Sequence, residues 1–424
     1  MGEFHCFVDG KKYKTNETTI HQDFIDNGYF KLYSKDDLNE TYILNVCGIA
    51  NLGKDNYVFF PKGYKPDLYS ENKNKKNAQR LFQAIFKYLD SEKGKFTEDE
   101  LNWIEKEKYE FKHINTIRWL IEDYFSNGLY KSSERIIEEN GKGRIEWTKT
   151  IKSKLPFIKD NKFFYLNLST SRNNIDLNHI IAQIHEKIIL ECIENFGWLF
   201  NEKDSGKKVE LDLTKEKQIV ILEKKLIETY IAHDIKLIQS LIAYLKETTN
   251  NDPDFVFVTP YFYVIWEKIL QFIFSHDETI QKLVPKPYWQ LEDNKKETRQ
   301  IPDILVKHKN DKNEELIIFD AKYYSFEKEP PGWAAIVKQL YYNLSLKDSK
   351  NIKNAFILPS SINNHNKYQY IGHAGVEGKK KKFGIVNAFA VDIATVLEDY
   401  VLNKTRKDIF NEIVECIEDK EKSN

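Results

Sequence analysis

Cysteine is scarce in this 424-residue chain. Cys6, Cys47, Cys192 and Cys416 are scattered, and no Cys-x-x-Cys pair occurs. That spacing argues against a structural zinc site and against a disulfide framework. Reduced thiols in a cytoplasm are the plain reading. Net charge is also missing: 64 basic residues against 65 acidic leave −1. The balance neither requires nor excludes a nucleic-acid partner, because phosphate contacts need only a local excess of Lys and Arg. Long apolar runs are absent too. The longest, Phe255 to Trp266, contains Pro260 and runs into Glu267 and Lys268, too short to cross a bilayer. The opening Met-Gly-Glu-Phe-His-Cys lacks the basic start and apolar stretch of a signal peptide. No internal repeat, coiled-coil heptad array or low-complexity tract interrupts the pattern. The expectation is a soluble cytoplasmic protein.

What the chain does hold is a globular composition, 41% hydrophobic and 14% aromatic, enough for two or three domains with real cores. Residues 1 to about 70 read as β-rich. Tyr42-Ile-Leu-Asn-Val-Cys47 and Tyr57-Val-Phe-Phe60 are strand formers separated by Gly53, Asp55 and Asn56, in the manner of a hairpin. The period then becomes helical through Ala78, Leu81, Phe82, Ile85 and Leu89. A second helix is expected through Ile114, Ile117, Ile121, Tyr124 and Phe125, with Gly128 as its C-cap. Gly141 to Trp147 reads as a turn and short strand, and helical patterns resume at Ile181–Cys192 and across 215–247. The polar stretch Thr248 to Pro253 is the best linker. These features predict an α/β protein, α+β overall, with an N-terminal region over 1–140, a mainly helical middle over 141–252 and a C-terminal domain over 253–424.

The chemistry sits in that last part. Thr259-Pro260 reads as a helix N-cap followed by Pro at the first helical position, opening a nearly all-apolar helix with Glu267, Lys268 and Gln271 on its one polar strip. Ile301-Pro-Asp-Ile-Leu-Val306, a polar block, and Leu316-Ile-Ile-Phe-Asp-Ala-Lys-Tyr323 then read as an antiparallel hairpin. With its turn centred on Asp311-Lys312, Asp303 faces Asp320. Asp320 and Lys322, two apart, share one strand face. Two converging carboxylates make an all-oxygen site suited to Mg²⁺, which positions a water and stabilises charge on a phosphate in flight. A lysine beside them orients or deprotonates the water, or stabilises the pentacovalent state. The pieces are short and common in isolation. Their order, with a buried helix carrying a Glu before them and the amphipathic Ala335 to Leu344 after, outweighs the reading of a surface hairpin with exposed acids.

This arrangement resembles the PD-(D/E)xK nuclease superfamily. The resemblance implies a core with a mixed central sheet flanked by helices, with Asp303, Asp320 and Lys322 as its catalytic residues. Glu267 matches the helix glutamate that many members add as a further metal ligand. Gln339, in Lys338-Gln339, matches the glutamine that follows the core in some branches, although the tyrosine expected four residues later is Asn343. A narrower resemblance covers most of the chain. Phe60-Pro-Lys-Gly-Tyr64, Glu122-Asp-Tyr-Phe-Ser-Asn-Gly-Leu-Tyr130, Gly143-Arg-Ile-Glu-Trp-Thr-Lys-Thr-Ile151, Val264-Ile-Trp-Glu267 and Lys338-Gln-Leu-Tyr-Tyr342 look like the LlaJI-type restriction endonuclease family. It implies a Mg²⁺-dependent, site-specific endonuclease of a restriction–modification system acting on double-stranded DNA, working as a homodimer or with a separate subunit. Relatives of this group include the nuclease partner of McrBC-like, GTP-driven systems. This chain has no Gly-x-x-x-x-Gly-Lys-Ser/Thr loop, so such a motor would be another subunit. A DNA-cleaving subunit of that kind is the second reading. A repair nuclease or a non-catalytic DNA-binding protein is the third.

Several other residues are candidates for DNA contact. They are Gln339 and Lys338, Arg299 just before the first catalytic strand, and Lys379, Lys380 and Lys381 after Gly375 and Gly378. Arg144 and Lys149 would alternate with Trp147 on a strand. For each a solvated basic surface is the competing explanation, and for Trp147 core packing is favoured. His185, among Ile181, Ile184 and Ile188, reads as a satisfied core histidine.

Overall fold

A computed structural model describes residues 3–36, 39–52, 55–91, 108–160, 162–176, 179–200, 202, 206–247, 255–292, 294–298, 300–309, 314–325, 330–346, 351–362 and 367–423. It is a mixed α/β protein. The chain forms two compact units, 1–108 together with 254–424, and 109–253. The divisions expected from composition lie at 140 and 252; that the two ends of the chain share one unit leaves no trace in local sequence.

In the first unit, β1 (Phe4–Val8), β2 (Lys12–Lys14), α1 (Gln22–Asp26), β3 (Phe30–Lys35), β4 (Glu40–Leu44), β5 (Cys47–Leu52) and β6 (Asp55–Phe60) precede the long helix α2 (Glu71–Ser91). The hairpin expected here exists with a different first strand. β5 pairs with β6, and Tyr42 lies on β4, which joins β2 and β3 in a separate small sheet. Asn45 and Val46 break the apolar run between the two strands. The aromatic side chains of Phe7, Phe24, Phe30 and Phe59 pack edge to face between these layers.

In the second unit, α3 (Lys108–Asn127) is followed by β7 (Ser132–Glu139), β8 (Arg144–Ile145), α4 (Trp147–Ser153), β9 (Phe157–Lys159), β10 (Lys162–Phe164) and β11 (Ser169–Asp176). The helices α5 (Ile180–Phe196), α6 (Lys215–Ile227) and α7 (Ala232–Glu247) follow. Gly128 ends α3 with φ +77°, as a C-cap glycine does. His185 is buried, and its Nδ1 accepts the Tyr130 N–H at 3.1 Å. The strand expected through Arg144, Trp147 and Lys149 stops after Ile145. Gly143, with φ +142°, lets the chain pass against Ser171, and Trp147 then opens a helix. Arg144 and Lys149 therefore share no strand face, and Trp147 is 53% exposed rather than core.

The chain then re-enters the first unit. Phe255–Thr259 is a strand, β12, antiparallel to β5, so the N-terminal sheet runs β1-β6-β5-β12. Because that strand extends to Thr259, helix α8 begins at Phe262, two residues past Pro260. The contact is close: a Cβ on Gly48 of β5 (φ +145°) would stand 2.1 Å from the Phe257 carbonyl oxygen. Helix α8 (Phe262–Ile273), a small hairpin of β13 (Tyr288–Gln290) and β14 (Lys295–Glu297), and β15 (Ile304–Lys309) lead to β16 (Glu314–Ala321). After them come α9 (Trp333–Leu346), β17 (Asn351–Ser360), β18 (Tyr368–Gly375), α10 (Lys380–Phe383), β19 (Ile385–Asp392), α11 (Ile393–Val401) and α12 (Lys407–Ser423).

The second large sheet has the order β15-β16-β17-β19-β18, with β16, β17 and β19 parallel and the two edge strands antiparallel. Strands covered on both faces are apolar throughout, and Leu316 to Phe319 are all buried. On one face Leu340 of α9 packs with Phe356, Leu358, Val386 and Ala388. On the other, Phe319 meets Phe274 at the end of α8 and Phe410 of α12. The β15–β16 register pairs Ile304 with Phe319 and Lys309 with Glu314, as a turn centred on Asp311-Lys312 requires. The turn itself lies outside the described residues. Among the described residues, no helix is long and apolar enough to cross a membrane.

Gly48 is the tightest point in the N-terminal sheet. Gly48→Ala is expected to lower stability by about 2–3 kcal/mol through forced backbone strain, read as a shift in the urea unfolding midpoint. An unshifted midpoint would show that β5 and β12 need no such close approach.

Candidate active site

The hairpin register brings two carboxylates together. Asp320 is the penultimate residue of β16, which has a strand on either side, and its side chain is 0% exposed. Asp303 immediately precedes β15, on the far side of the same pairing. Its Oδ2 accepts the Ala321 backbone N–H at 3.0 Å, so the main chain of one strand fixes the acid of the other. Gln339 of α9 donates from Nε2 to Asp320 Oδ1 at 2.6 Å, and its carbonyl accepts from Asn354 Nδ2 at 2.7 Å. Asp320 Oδ2 accepts no hydrogen bond and meets the Lys322 ammonium in an ion pair.

Lys322 follows the end of β16. Its backbone N–H donates to the Ile357 carbonyl at 2.9 Å, and its ammonium lies over the Phe356 ring. Tyr323, next in sequence, is anchored from the N-terminal region: its hydroxyl accepts the Lys62 N–H at 2.9 Å and sits 3.2 Å from Cys47 Sγ. The end of the strand is thus held on both sides of Lys322. A second lysine, Lys338 on α9, has its Nζ 3.7 Å from Asp303 Oδ1 and 3.5 Å from Asp320 Oδ1.

Glu267 comes from α8. Its Oε1 accepts from Gln271 Nε2 at 3.0 Å, and the same Nε2 donates to the Asp303 carbonyl at 2.8 Å. Gln271 therefore ties the helix carboxylate to the strand that carries Asp303. Its i, i+4 spacing from Glu267 was the signal that could have revealed this link. Burial and the neighbouring charge of Asp320 raise the Glu267 carboxyl, against Lys268, Lys338 and Lys322. Asp303 is pushed up to about 7, by burial first and then by Asp320 and Glu267. Burial alone would lower the Lys338 ammonium, but the charges of Asp303 and Asp320 outweigh it and hold it above its usual range.

Asp303, Asp320, Lys322 and Glu267 therefore share one neighbourhood, with Gln339 and Lys338 beside them. Asn343, where the tyrosine after Gln339 is expected, donates to the Phe383 carbonyl, while the neighbouring Tyr342 donates from its hydroxyl to the Ile301 carbonyl at 3.2 Å. The other basic candidates are not drawn in. Lys379 and Lys381 are exposed and Lys380 is half-buried at the short helix α10, with no hydrogen bond or ion pair to these acids among the described residues. Arg144 and Lys149 are exposed in the second unit. Arg299 lies outside the described residues. The donor set is hard oxygen, which suits Mg²⁺ better than a softer ion. Among the described residues, no three His, Cys, Asp or Glu side chains form a ready-made ion site. The Asp303–Asp320 pair is thus the fitting element, with Glu267 at its side.

Residues 46–394 match the LlaJI restriction endonuclease family. A curated relative described as type II restriction enzyme BsuMI component YdjA, from Bacillus subtilis strain 168, is 26% identical over 392 residues, spanning 86% of this chain and 80% of its own. Two solved assemblies from Thermococcus gammatolerans also align. For a half-complex of McrB AAA+ hexamers with bound McrC, the TM-score is 0.36 at 12% identity, over 94% of this chain and 99% of that one. For the McrBC complex it is 0.28 at 13% identity, over 63% and 87%.

The raised Asp303 carboxyl has a thermodynamic signature. The native state keeps a proton up to about pH 7 that the unfolded chain releases near pH ~4. The metal-free protein should therefore lose stability as pH rises from about 4 through about 7. Denaturant midpoints measured in EDTA between pH 5 and 8 are expected to fall with pH. Asp303→Asn should make the slope shallower, leaving what other raised acids such as Glu267 and Asp9 contribute, and an unchanged slope in that variant would place the effect elsewhere.

Proposed function

The chain belongs to the LlaJI restriction endonuclease family, and on that footing we propose that it hydrolyses phosphodiester bonds of double-stranded DNA with Mg²⁺. Asp303, Asp320, Lys322 and Glu267 form the active site of a PD-(D/E)xK-type core. One observation carries the reading: across the β15–β16 hairpin, the fully buried Asp320 and the half-buried Asp303 stand side by side with a lysine at the same strand end. A surface hairpin with exposed acids would not bury Asp320 completely.

Asp303 and Asp320 would hold the ion, with Glu267 as a further oxygen ligand. When bound, Mg²⁺ supplies Lewis-acid stabilisation of the phosphoryl oxygens and a more acidic water. The protein's own groups do the rest. Gln339 and the Ala321 N–H fix the two acids in orientation, so little reorganisation is left for the moment of reaction. Lys322, held at its backbone and beside Phe356, directs its ammonium at the reacting centre. There it orients the attacking water and offsets negative charge on the pentacovalent phosphorus.

A second reading is a cleaving subunit that acts only with a separate NTPase. It is favoured by the description of the Bacillus subtilis relative as a component of a restriction enzyme and by the absence of a phosphate-binding Gly-Lys loop from this sequence.

Incubation of the full chain with Mg²⁺ and unmethylated plasmid is expected to give linear or fragmented DNA. Lys322→Ala should slow cleavage at least about a hundredfold, in protein that circular dichroism shows to be folded at the assay temperature. Cutting that begins only when an NTPase subunit and GTP are added would favour the second reading. No cutting under either condition sinks both.

A further inference from the structure

The inference rests on the nuclease reading above and concerns Lys338. Of the two lysines among the acids, Lys322 is the fixed one: 15% exposed, tied at its backbone and laid over Phe356. Lys338 is different. Its side chain is 43% exposed, and its Nζ stands 3.7 Å from Asp303 Oδ1 and 3.5 Å from Asp320 Oδ1. Those separations are longer than a close charge-assisted hydrogen bond. The ammonium is therefore held between two oxygens mainly by charge, on a flexible stem that reaches solvent.

Two carboxylates this close repel each other unless a cation or a proton intervenes. We propose that Lys338 is that cation in the metal-free protein: its ammonium stands beside both acids, in the place that a divalent ion held by Asp303 and Asp320 would need, and the two would compete for it. Lys338 is a positioning residue, acting through Asp303 and Asp320. It keeps the acids together while no ion is bound, and it sets the affinity with which an ion enters.

The test is Mn²⁺ binding to the full chain by calorimetry, without DNA, for wild type, Lys338→Met and Lys338→Arg. Lys338→Met is expected to bind Mn²⁺ at least about tenfold more tightly, because the competing charge is gone. In EDTA it should melt at a lower temperature than wild type, with the deficit removed by Mn²⁺. Lys338→Arg, which keeps the charge, should return the affinity toward wild type. If Lys338→Met does not fold, Lys338→Gln takes the same measurement. Equal or weaker Mn²⁺ binding by the neutral variant overturns the inference. Should that come with weaker DNA binding in EDTA, Lys338 is a phosphate contact instead. Wild-type protein that cuts DNA while the neutral variant shows unchanged affinity sinks only the role of Lys338. Wild-type protein that neither binds Mn²⁺ nor cuts sinks the nuclease reading and this inference with it.

Discussion

Two negative charges brought together inside a protein are unfavourable, and the first unit is organised around making one such pair tolerable. Asp320 is fully buried on a central strand, and Asp303 faces it across the hairpin. The compensation comes from two places: the end of β16, with the Ala321 N–H and the Lys322 ammonium, and helix α9, with the Gln339 amide and the Lys338 ammonium. Removing one partner of such a network leaves the others with an unmatched charge, which is costly where water is excluded. Burial also leaves Asp303 holding a proton near neutral pH, so the site is tensed toward accepting positive charge.

The surroundings turn that local tension into a fixed geometry. Strand β16 lies between β15 and β17, so its end cannot shift without disturbing both ladders. Helix α8 is pinned to the Asp303 main chain by Gln271, and α9 is pinned to Asp320 by Gln339. Tyr323 brings in the N-terminal region through Lys62 and Cys47. Sites built on such paired strands and packed helices are held more accurately than sites on loops.

The acids were legible because period and register are local. A polar block between two apolar runs fixed which residues face each other, and the i, i+2 rule put Lys322 on the face of Asp320. Other features were hidden for physical reasons. Nothing local says that Phe255–Thr259 pairs with a strand some two hundred residues earlier, so the apolar run around Pro260 read as the start of a helix. Trp147 looked like core because its size and neighbours suit a strand, whereas the close pass of Gly143 against Ser171 ends the strand first. Lys338 reads from sequence as a candidate DNA contact, since its sequence neighbours do not show that α9 lays it beside both carboxylates.

The pairing of β12 with β5 bears on modularity. The whole of 109–253 is a guest segment in a host, entering and leaving the chain between two pieces of one folded body. A fragment begun at residue 253 would carry β12 with its ladder edge bare and α8 without the sheet that precedes it. A guest of this kind is open to variation in length and surface, because the host's strand ladders close without it. Change in that segment and constancy in the host body are then separable within a single polypeptide.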